Sequence, residues 1–140
     1  MKKFMALLLP LVVLAAMVVL AGLVALVGLA GVAWAGHKQP ERVYQVEWCQ
    51  QERGRLEVVM ADGTRCDCLT RTHAVEVDFG RKWAEALGQA LNYAMQTGKQ
   101  PGILLVIERA KDFEAVDRLQ RIAERWGLPL RIWTVVDLED

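Results

Sequence analysis

A run of 32 residues without a charged side chain, from Phe4 to Ala35, constrains this 140-residue chain more than any other feature. A bilayer span needs about 20 apolar residues, so the run is long enough to cross a membrane once and too short to cross it twice. Lys2 and Lys3 precede the run, and it ends in Ala33-Trp34-Ala35, a small-x-small pattern that suits signal peptidase. Residues 1–35 are therefore either a cleaved signal peptide or an uncleaved signal anchor, and the length favours the anchor.

The charges around the apolar run predict where the rest of the chain lies. Lys2 and Lys3 favour an N-terminus inside the cell, so residues 36–140 are expected in the periplasm, either released or anchored to the inner membrane. The chain has 17 basic and 17 acidic residues, and removing the two N-terminal lysines leaves 15 basic and 17 acidic, a net charge of −2. That charge argues against a protein that coats nucleic acid by charge alone.

The hydrophobic periodicity of residues 36–140 predicts one α/β domain. Asp62-Gly63 is a strong hairpin signal, and Gly98 is a typical helix end. A mixed sheet with helices on both faces is expected, and the tryptophans of the domain, Trp126 included, are expected in the core. The predicted order is helix 41–51, strands 56–60, 65–69 and 73–79, helix 81–97, strand 102–107, helix 112–126 and strand 130–136.

Acidic side chains concentrate on the second and third predicted strands. Asp67 lies between Cys66 and Cys68, and Glu76 and Asp78 are two residues apart, which places them on the same strand face. Burying such carboxylates is costly unless something positive compensates them, and Mg²⁺ is typically held by one or two carboxylates. The strands therefore predict either a metal site or an exposed face with solvated acids.

The helix after the acidic strand carries a polar stripe. At about 100° per residue, Lys82, Gln89 and Tyr93 fall within about 40° of one another. A cation, an amide and a phenol in line beside carboxylates suit a phosphodiester ligand. The alternative is a solvated helix face with one tyrosine at its border.

These motifs and their order resemble the PD-(D/E)XK nuclease superfamily over roughly residues 41–108. Asp67 on the second strand and Glu76-Val77-Asp78 on the third match its acidic motif, and the glutamine and tyrosine of the stripe look like the QxxxY signature of RecB-type members. Glu47 on the first helix looks like the optional helical glutamate of the family. The resemblance implies a restriction-endonuclease-like fold, αβββαβαβ, after the N-terminal hydrophobic helix.

The resemblance also implies chemistry, namely Mg²⁺- or Mn²⁺-dependent hydrolysis of DNA phosphodiester bonds. Asp67, Glu76 and Asp78 would hold the metal ion, and Glu47 and Lys82 would join Asp67 and Glu76 as catalytic residues. The stripe residues Gln89 and Tyr93 would bind substrate. The chain departs from the family at the position two after Glu76, where Asp78 replaces the usual lysine; Lys82 is the natural substitute. The alternative is a catalytically inactive nuclease-fold protein with a binding or structural role in the cell envelope.

The three cysteines bear on the compartment. Cys66 and Cys68 are two apart on one strand and are expected on the same face, so they rarely bond to each other. Cys49, near the end of the first helix, could reach either of them. Such a bridge requires an oxidising compartment. Three buried free thiols are the alternative.

Overall fold

The computed structural model describes residues 38–138, and the predicted leader or anchor at residues 1–35 lies outside them. Three helices and five strands follow the predicted order. They are α1 (Glu41–Gln51), β1 (Arg55–Val59), β2 (Arg65–Leu69), β3 (His73–Phe79), α2 (Trp83–Thr97), β4 (Gln100–Ile107), α3 (Phe113–Trp126) and β5 (Arg131–Val136). Short 3₁₀ turns at Gly80–Lys82 and Ala110–Asp112 precede α2 and α3.

The five strands form one mixed sheet in the spatial order β1-β2-β3-β4-β5. The first three strands pair antiparallel, whereas β3, β4 and β5 run parallel. The two parallel connections each contain a helix, as parallel neighbours require. The chain is thus α/β with a mixed sheet, and the carboxyl ends of β3 and β4 lead directly into the starts of α2 and α3.

The alternation of side chains on β3 and β4 divides the core between the two sheet faces. Val75 and Val77 pack with Leu104 and Val106 against Trp48 of α1 and its neighbours. The intervening residues of β4 face α2 and α3 in a second cluster with Ala86, Ala90 and Leu119. Because β4 is covered on both sides, its central residues read as a continuous apolar run, as a fully buried strand should.

The predicted Asp-Gly hairpin joins β1 to β2 and is anchored to α2. Gly63 has φ +82°, a left-handed conformation that disfavours other residues, and the Met60 N–H donates to the Thr64 carbonyl at 2.8 Å. The Asp62 carboxylate accepts hydrogen bonds from Thr64 and, at 2.9 Å, from the Asn92 amide on α2. The outer hairpin is therefore held to the helix that follows the acidic strand.

Two expectations about side-chain placement are wrong. Trp126, expected in the core, is 75% exposed, because it lies at the last turn of α3 beyond the buried Leu119. Cys66 and Cys68, expected on one face, belong to different clusters: Cys68 packs with α1, and Cys66 packs with Tyr93 of α2. The loss of regular alternation on β2 falls opposite Glu57 of β1, a non-glycine residue with φ +55°.

Within residues 38–138, no helix combines the length and the apolar character that crossing a bilayer requires.

Candidate acidic site

The acidic residues of β2 and β3 meet where these two strands separate. The β2–β3 ladder contains the pairs Cys68↔Val75 and Leu69↔Ala74. One residue before Cys68, the Asp67 carboxylate takes the place of a backbone partner, because its Oδ2 accepts the Val77 N–H at 2.9 Å. The divergence therefore opens a space next to β3 that polar side chains fill.

Burial and mutual proximity raise the pKa values of the carboxyl groups in this space. The pKa of Glu76 rises to about 9, chiefly because the side chain is buried and then because Asp67 and Asp78 lie close by. The pKa of Asp67 rises to about 6 for the same leading reason, although the Val77 N–H opposes the rise. Such groups resist carrying their charges together without a compensating cation.

Asp78 has a positive partner in Lys82. The Lys82 Nζ lies 3.4 Å from Asp78 Oδ1, which also accepts the Phe79 N–H at 2.8 Å. Burial still raises the pKa of Asp78, while the nearby Asp78 carboxylate raises the pKa of Lys82. The sequence placed Lys82 beside the acidic strand, and the structure brings the two together at the turn that starts α2.

The helical glutamate beside these acids is Glu41, not Glu47. Glu41, the first residue of α1, has its pKa raised to about 7 by burial and then by the proximity of Asp78 and Asp67. Glu47 is exposed on another face of the same helix, so the expectation for Glu47 is corrected. We call Glu41, Asp67, Glu76 and Asp78 the acidic cluster.

Gln45 is a further member of the site that the sequence analysis missed. It is 4% exposed, and its Nε2 donates to Asp67 at both Oδ1 (3.2 Å) and the backbone oxygen (3.1 Å). Gln45 lies four residues after Glu41, so both project from one face of α1 toward β2. The helix thus supplies a carboxylate and an amide to the same cluster.

The predicted Gln89–Tyr93 pair lies next to the acidic cluster on the side of α2, whereas Glu41 and Gln45 come from α1. The buried Tyr93 hydroxyl donates to Gln89 Oε1 at 2.9 Å. Burial raises the pKa of Tyr93, and the proximity of Glu76 and Asp67 raises it further. The sequence stripe is therefore a hydrogen-bonded pair next to the carboxylates.

A disulfide joins α1 to β2, the strand that carries Asp67. Cys49 bonds to Cys68, one of the two pairings that the sequence left open, and Cys66 is a buried free thiol whose pKa burial raises to about 11. Gly54 passes directly beside the bridge: a Cβ there would lie 2.4 Å from the Cys68 sulfur and 2.7 Å from the Cys49 sulfur. The bridge fixes the helix that supplies Glu41 to the sheet.

The cluster has one feature that a bound cation would satisfy. Glu76 Oε2 is buried and has no hydrogen-bond partner among the described residues 38–138, a costly state for a carboxyl oxygen. As the side chains stand, however, no three His, Cys, Asp or Glu residues between 38 and 138 are arranged to hold a metal ion. The donor set fits Mg²⁺ by chemistry, since every group offered is an oxygen, but binding would require Asp67 and Glu76 to reorient.

Comparison with known proteins adds no assignment. No protein-family model matches the chain, and no curated protein or solved structure is significantly similar to it.

Proposed function

We propose that this protein is a metal-dependent nuclease with a restriction-endonuclease-like core, hydrolysing phosphodiester bonds of DNA. The observation that carries the proposal is Glu76, buried beside Asp67 and Asp78 with one carboxyl oxygen unpartnered. A chain seldom buries several carboxylates in contact unless they serve a ligand, and perturbed acids cluster at functional sites.

Asp67, Glu76 and Asp78 would hold the ion, Mg²⁺ or Mn²⁺. A bound ion would supply an activated water and would offset negative charge on the phosphodiester. Gln45 and the Val77 N–H now hold the two oxygens of Asp67, so metal binding would exchange at least one of these hydrogen bonds for the ion.

The remaining residues of the site would act on substrate and protons. Lys82, 45% exposed and 3.4 Å from Asp78, can reach a phosphate oxygen while staying next to the acids. Glu41, with its pKa raised to about 7, can both accept and release a proton near neutral pH. The Gln89–Tyr93 pair presents an amide that can donate to a substrate oxygen.

A second candidate function is supported by a different observation. With the pKa of Glu76 raised to about 9, the cluster keeps a proton at neutral pH, and Lys82 offsets Asp78. These two features neutralise much of the cluster without a metal ion. They favour a nuclease-fold protein that binds or organises envelope components and has lost catalysis.

For location, we propose the periplasm, with residues 4–35 holding the protein to the inner membrane if they are not removed. The Cys49–Cys68 disulfide supports this placement, because structural disulfides persist in oxidising compartments. The apolar run and the preceding lysines support it independently.

The test is a cleavage assay with the full-length protein in a neutral detergent, on plasmid and on labelled single-stranded DNA, with Mg²⁺, Mn²⁺ or EDTA. We expect cleavage with either metal and none with EDTA. Asp67→Asn and Glu76→Gln should each abolish it, because each removes a charge that the cation needs. Activity surviving in both variants would refute the metal assignment.

A matched pair on α1 tests the corrected helical glutamate. Glu41→Gln should lower cleavage by about a hundredfold or more, the usual contribution of a positioned acid or base, whereas Glu47→Gln should leave it unchanged. Metal-independent folding with no cleavage under any condition would instead support the inactive alternative.

A further inference from the structure

A groove lined by basic and aromatic side chains lies along the second half of α3. It has a volume of about 370 Å³ and contains no acidic side chain. Its lining consists of three arginines, two tryptophans and one isoleucine: Trp83, Arg118, Arg121, Ile122, Arg125 and Trp126. We call this surface the arginine groove. It stands out because residues 36–140 as a whole carry a net charge of −2.

The helical period explains why these side chains converge. Arg118, Arg121 and Arg125 are spaced by three and four residues along α3, so they project from one side of the helix. The Arg118 guanidinium also lies 5.9 Å from the centre of the Trp83 ring, within cation–π range. Acidic residues of the same helix border the groove: Glu114 ion-pairs with Arg118 at 3.1 Å on the exposed surface, and Asp117 and Glu124 lie four and three residues from Arg121. The positive charge is therefore confined to the lining of the groove, which contains three arginines and no acidic residue.

The indole of Trp126 gives the groove a second kind of contact. At 75% exposure, it is the most exposed tryptophan described, and it adjoins the arginines instead of the core. An exposed aromatic ring beside cations is the combination that binds single-stranded nucleic acid, since the cations follow the phosphates and the ring stacks on an unpaired base. A paired base has no free face for that contact.

The arginine groove is connected to the acidic cluster through the start of α2. Trp83, in the groove, follows directly after Lys82, which contacts Asp78. A neighbouring cavity shares Trp83 and Arg118 with the groove, and its lining mixes basic residues, Arg81 and Lys111 among them, with the acids Asp112 and Glu114. Lys82 and the groove are thus next to each other along the chain at the start of α2.

We propose that the arginine groove binds the backbone of a single-stranded nucleic acid and that Trp126 stacks on one of its bases. The proposal rests on the proposed nuclease function and names its substrate class as single-stranded. An anionic membrane surface is the competing occupant. It fits less well, because a helix lying in a membrane interface presents a broad apolar face, and apart from Trp126 the apolar lining of the groove is partly buried.

The test measures binding, not cleavage. Fluorescence anisotropy follows a labelled 20-nucleotide oligo(dT) bound by the full-length protein in a neutral detergent with EDTA. The patch variant is Arg118→Gln/Arg121→Gln/Arg125→Gln. The control variant, Arg53→Gln/Arg55→Gln/Arg71→Gln, removes the same charge from exposed positions elsewhere.

The patch variant should bind oligo(dT) about tenfold more weakly or worse. The slope of its log affinity against log salt concentration should be shallower by about 2, because each of the three lost phosphate contacts contributes about 0.7. The control variant should match the wild type. Trp126→Ala should weaken oligo(dT) binding by about fivefold or more and leave weaker duplex binding unchanged.

Three results would overturn the proposal: no oligo(dT) binding by the wild type, equal losses in the two triple variants, or equal binding of single-stranded and duplex DNA with no effect of Trp126→Ala. A wild-type tryptophan fluorescence shift caused by phosphatidylglycerol in the micelles, and lost in the patch variant without any oligo(dT) binding, would assign the groove to a membrane instead.

The outcome is separable from that of the cleavage assay. Oligo(dT) binding that depends on the groove arginines, without metal-dependent cleavage, would support the binding proposal and refute the nuclease proposal. Metal-dependent cleavage, together with oligo(dT) binding that the patch substitutions leave unchanged, would support the nuclease proposal and refute the binding proposal.

Discussion

Replacing Glu76 with glutamine should stabilise the protein at neutral and alkaline pH. Glu76 is 6% exposed, and the fold raises its pKa from 4.5 to about 9. Above pH 4.5 the unfolded chain loses this proton while the folded chain keeps it, so folding stability falls as pH rises until it levels off near pH 9. Glutamine is neutral at every pH and has nearly the same shape, so it removes this penalty.

The magnitude follows from the two pKa values. Each pH unit between them costs about 1.4 kcal/mol, so at pH 7 the penalty is about 3 kcal/mol, and it grows by about 2 kcal/mol more between pH 7 and pH 9. Asp67 and Glu41, with pKa values near 6 and 7, add to the fall mainly below pH 7.5. Glu76 therefore dominates the window from pH 7.5 to pH 9, with a smaller fall near pH 9 from the buried Cys66 thiol.

The assay is urea unfolding of the full-length protein in a neutral detergent at pH 5 to 9, followed by tryptophan fluorescence. In EDTA, the wild type should lose stability between pH 7.5 and 9, whereas Glu76→Gln should be flatter and more stable by about 4 kcal/mol at pH 8. Glu124→Gln, at an exposed position on α3, should stay within about 0.5 kcal/mol of the wild type.

Magnesium provides the second arm of the experiment. An ion that binds only the folded protein stabilises it, so Mg²⁺ should raise the wild-type unfolding free energy at pH 8 and should do so much less in Glu76→Gln. A wild type whose stability is flat from pH 7.5 to 9 would refute the reasoning about burial. An equal magnesium effect in both proteins would show that the ion does not use Glu76.

Three further changes test particular contacts. Lys82→Ala should reduce cleavage far more than Lys99→Ala, since Lys99 donates to a backbone oxygen of an exposed turn; equal small effects in the cleavage assay would make Lys82 a surface charge. Reducing the Cys49–Cys68 bridge, which spans 19 residues, should cost about 3 kcal/mol in urea unfolding, and an unchanged midpoint with reductant would contradict this. Gly54→Ala should destabilise the oxidised wild type, because the added Cβ would meet the sulfurs of Cys49 and Cys68. The loss should be smaller in a protein whose two cysteines are replaced by alanine. Equal losses of unfolding free energy in the two proteins would count against that contact.

Local sequence signals were sufficient for most of the fold. The strands 65–69 and 73–79 were predicted with the bounds that the structure has, because Asp-Gly fixes the hairpin and Gly80 ends the third strand. The buried strand β4 was recognisable as a continuous apolar run. These features depend on residues that are close together in the chain, so they can be predicted from the sequence.

The choice between Glu41 and Glu47 depended on which face of α1 meets the sheet. Cys49, Gln45 and Glu41 are spaced by four, so the face that brings the cysteine to β2 also brings the other two. Glu47 is two residues from Cys49 and lies about 200° away around the helix. Taking the cysteine as the reference point would have found Glu41.

The misplacement of Trp126 has a different origin. Periodicity identifies the inward side of α3 correctly, since Leu119 is buried, but exposure increases along the helix through Ile122 to Trp126. The period says which way a side chain points. It does not say how far the sheet extends beneath the helix, which is a property of the whole assembly.

The separation of β2 from β3 has a consequence for how such a protein can change over evolutionary time. Asp67 satisfies the buried Val77 N–H, so its loss would leave a backbone donor unpaired whether or not any chemistry takes place. Glu76 Oε2 has no hydrogen-bond partner among residues 38–138, although the same carboxyl group interacts with Asp67 and Tyr93. In a lineage that abandoned catalysis, selection for folding alone would retain an aspartate at position 67 and would allow glutamine at position 76. A glutamate at position 76 therefore indicates a retained function, whereas an aspartate at position 67 would be present both in an active enzyme and in its inactive descendant.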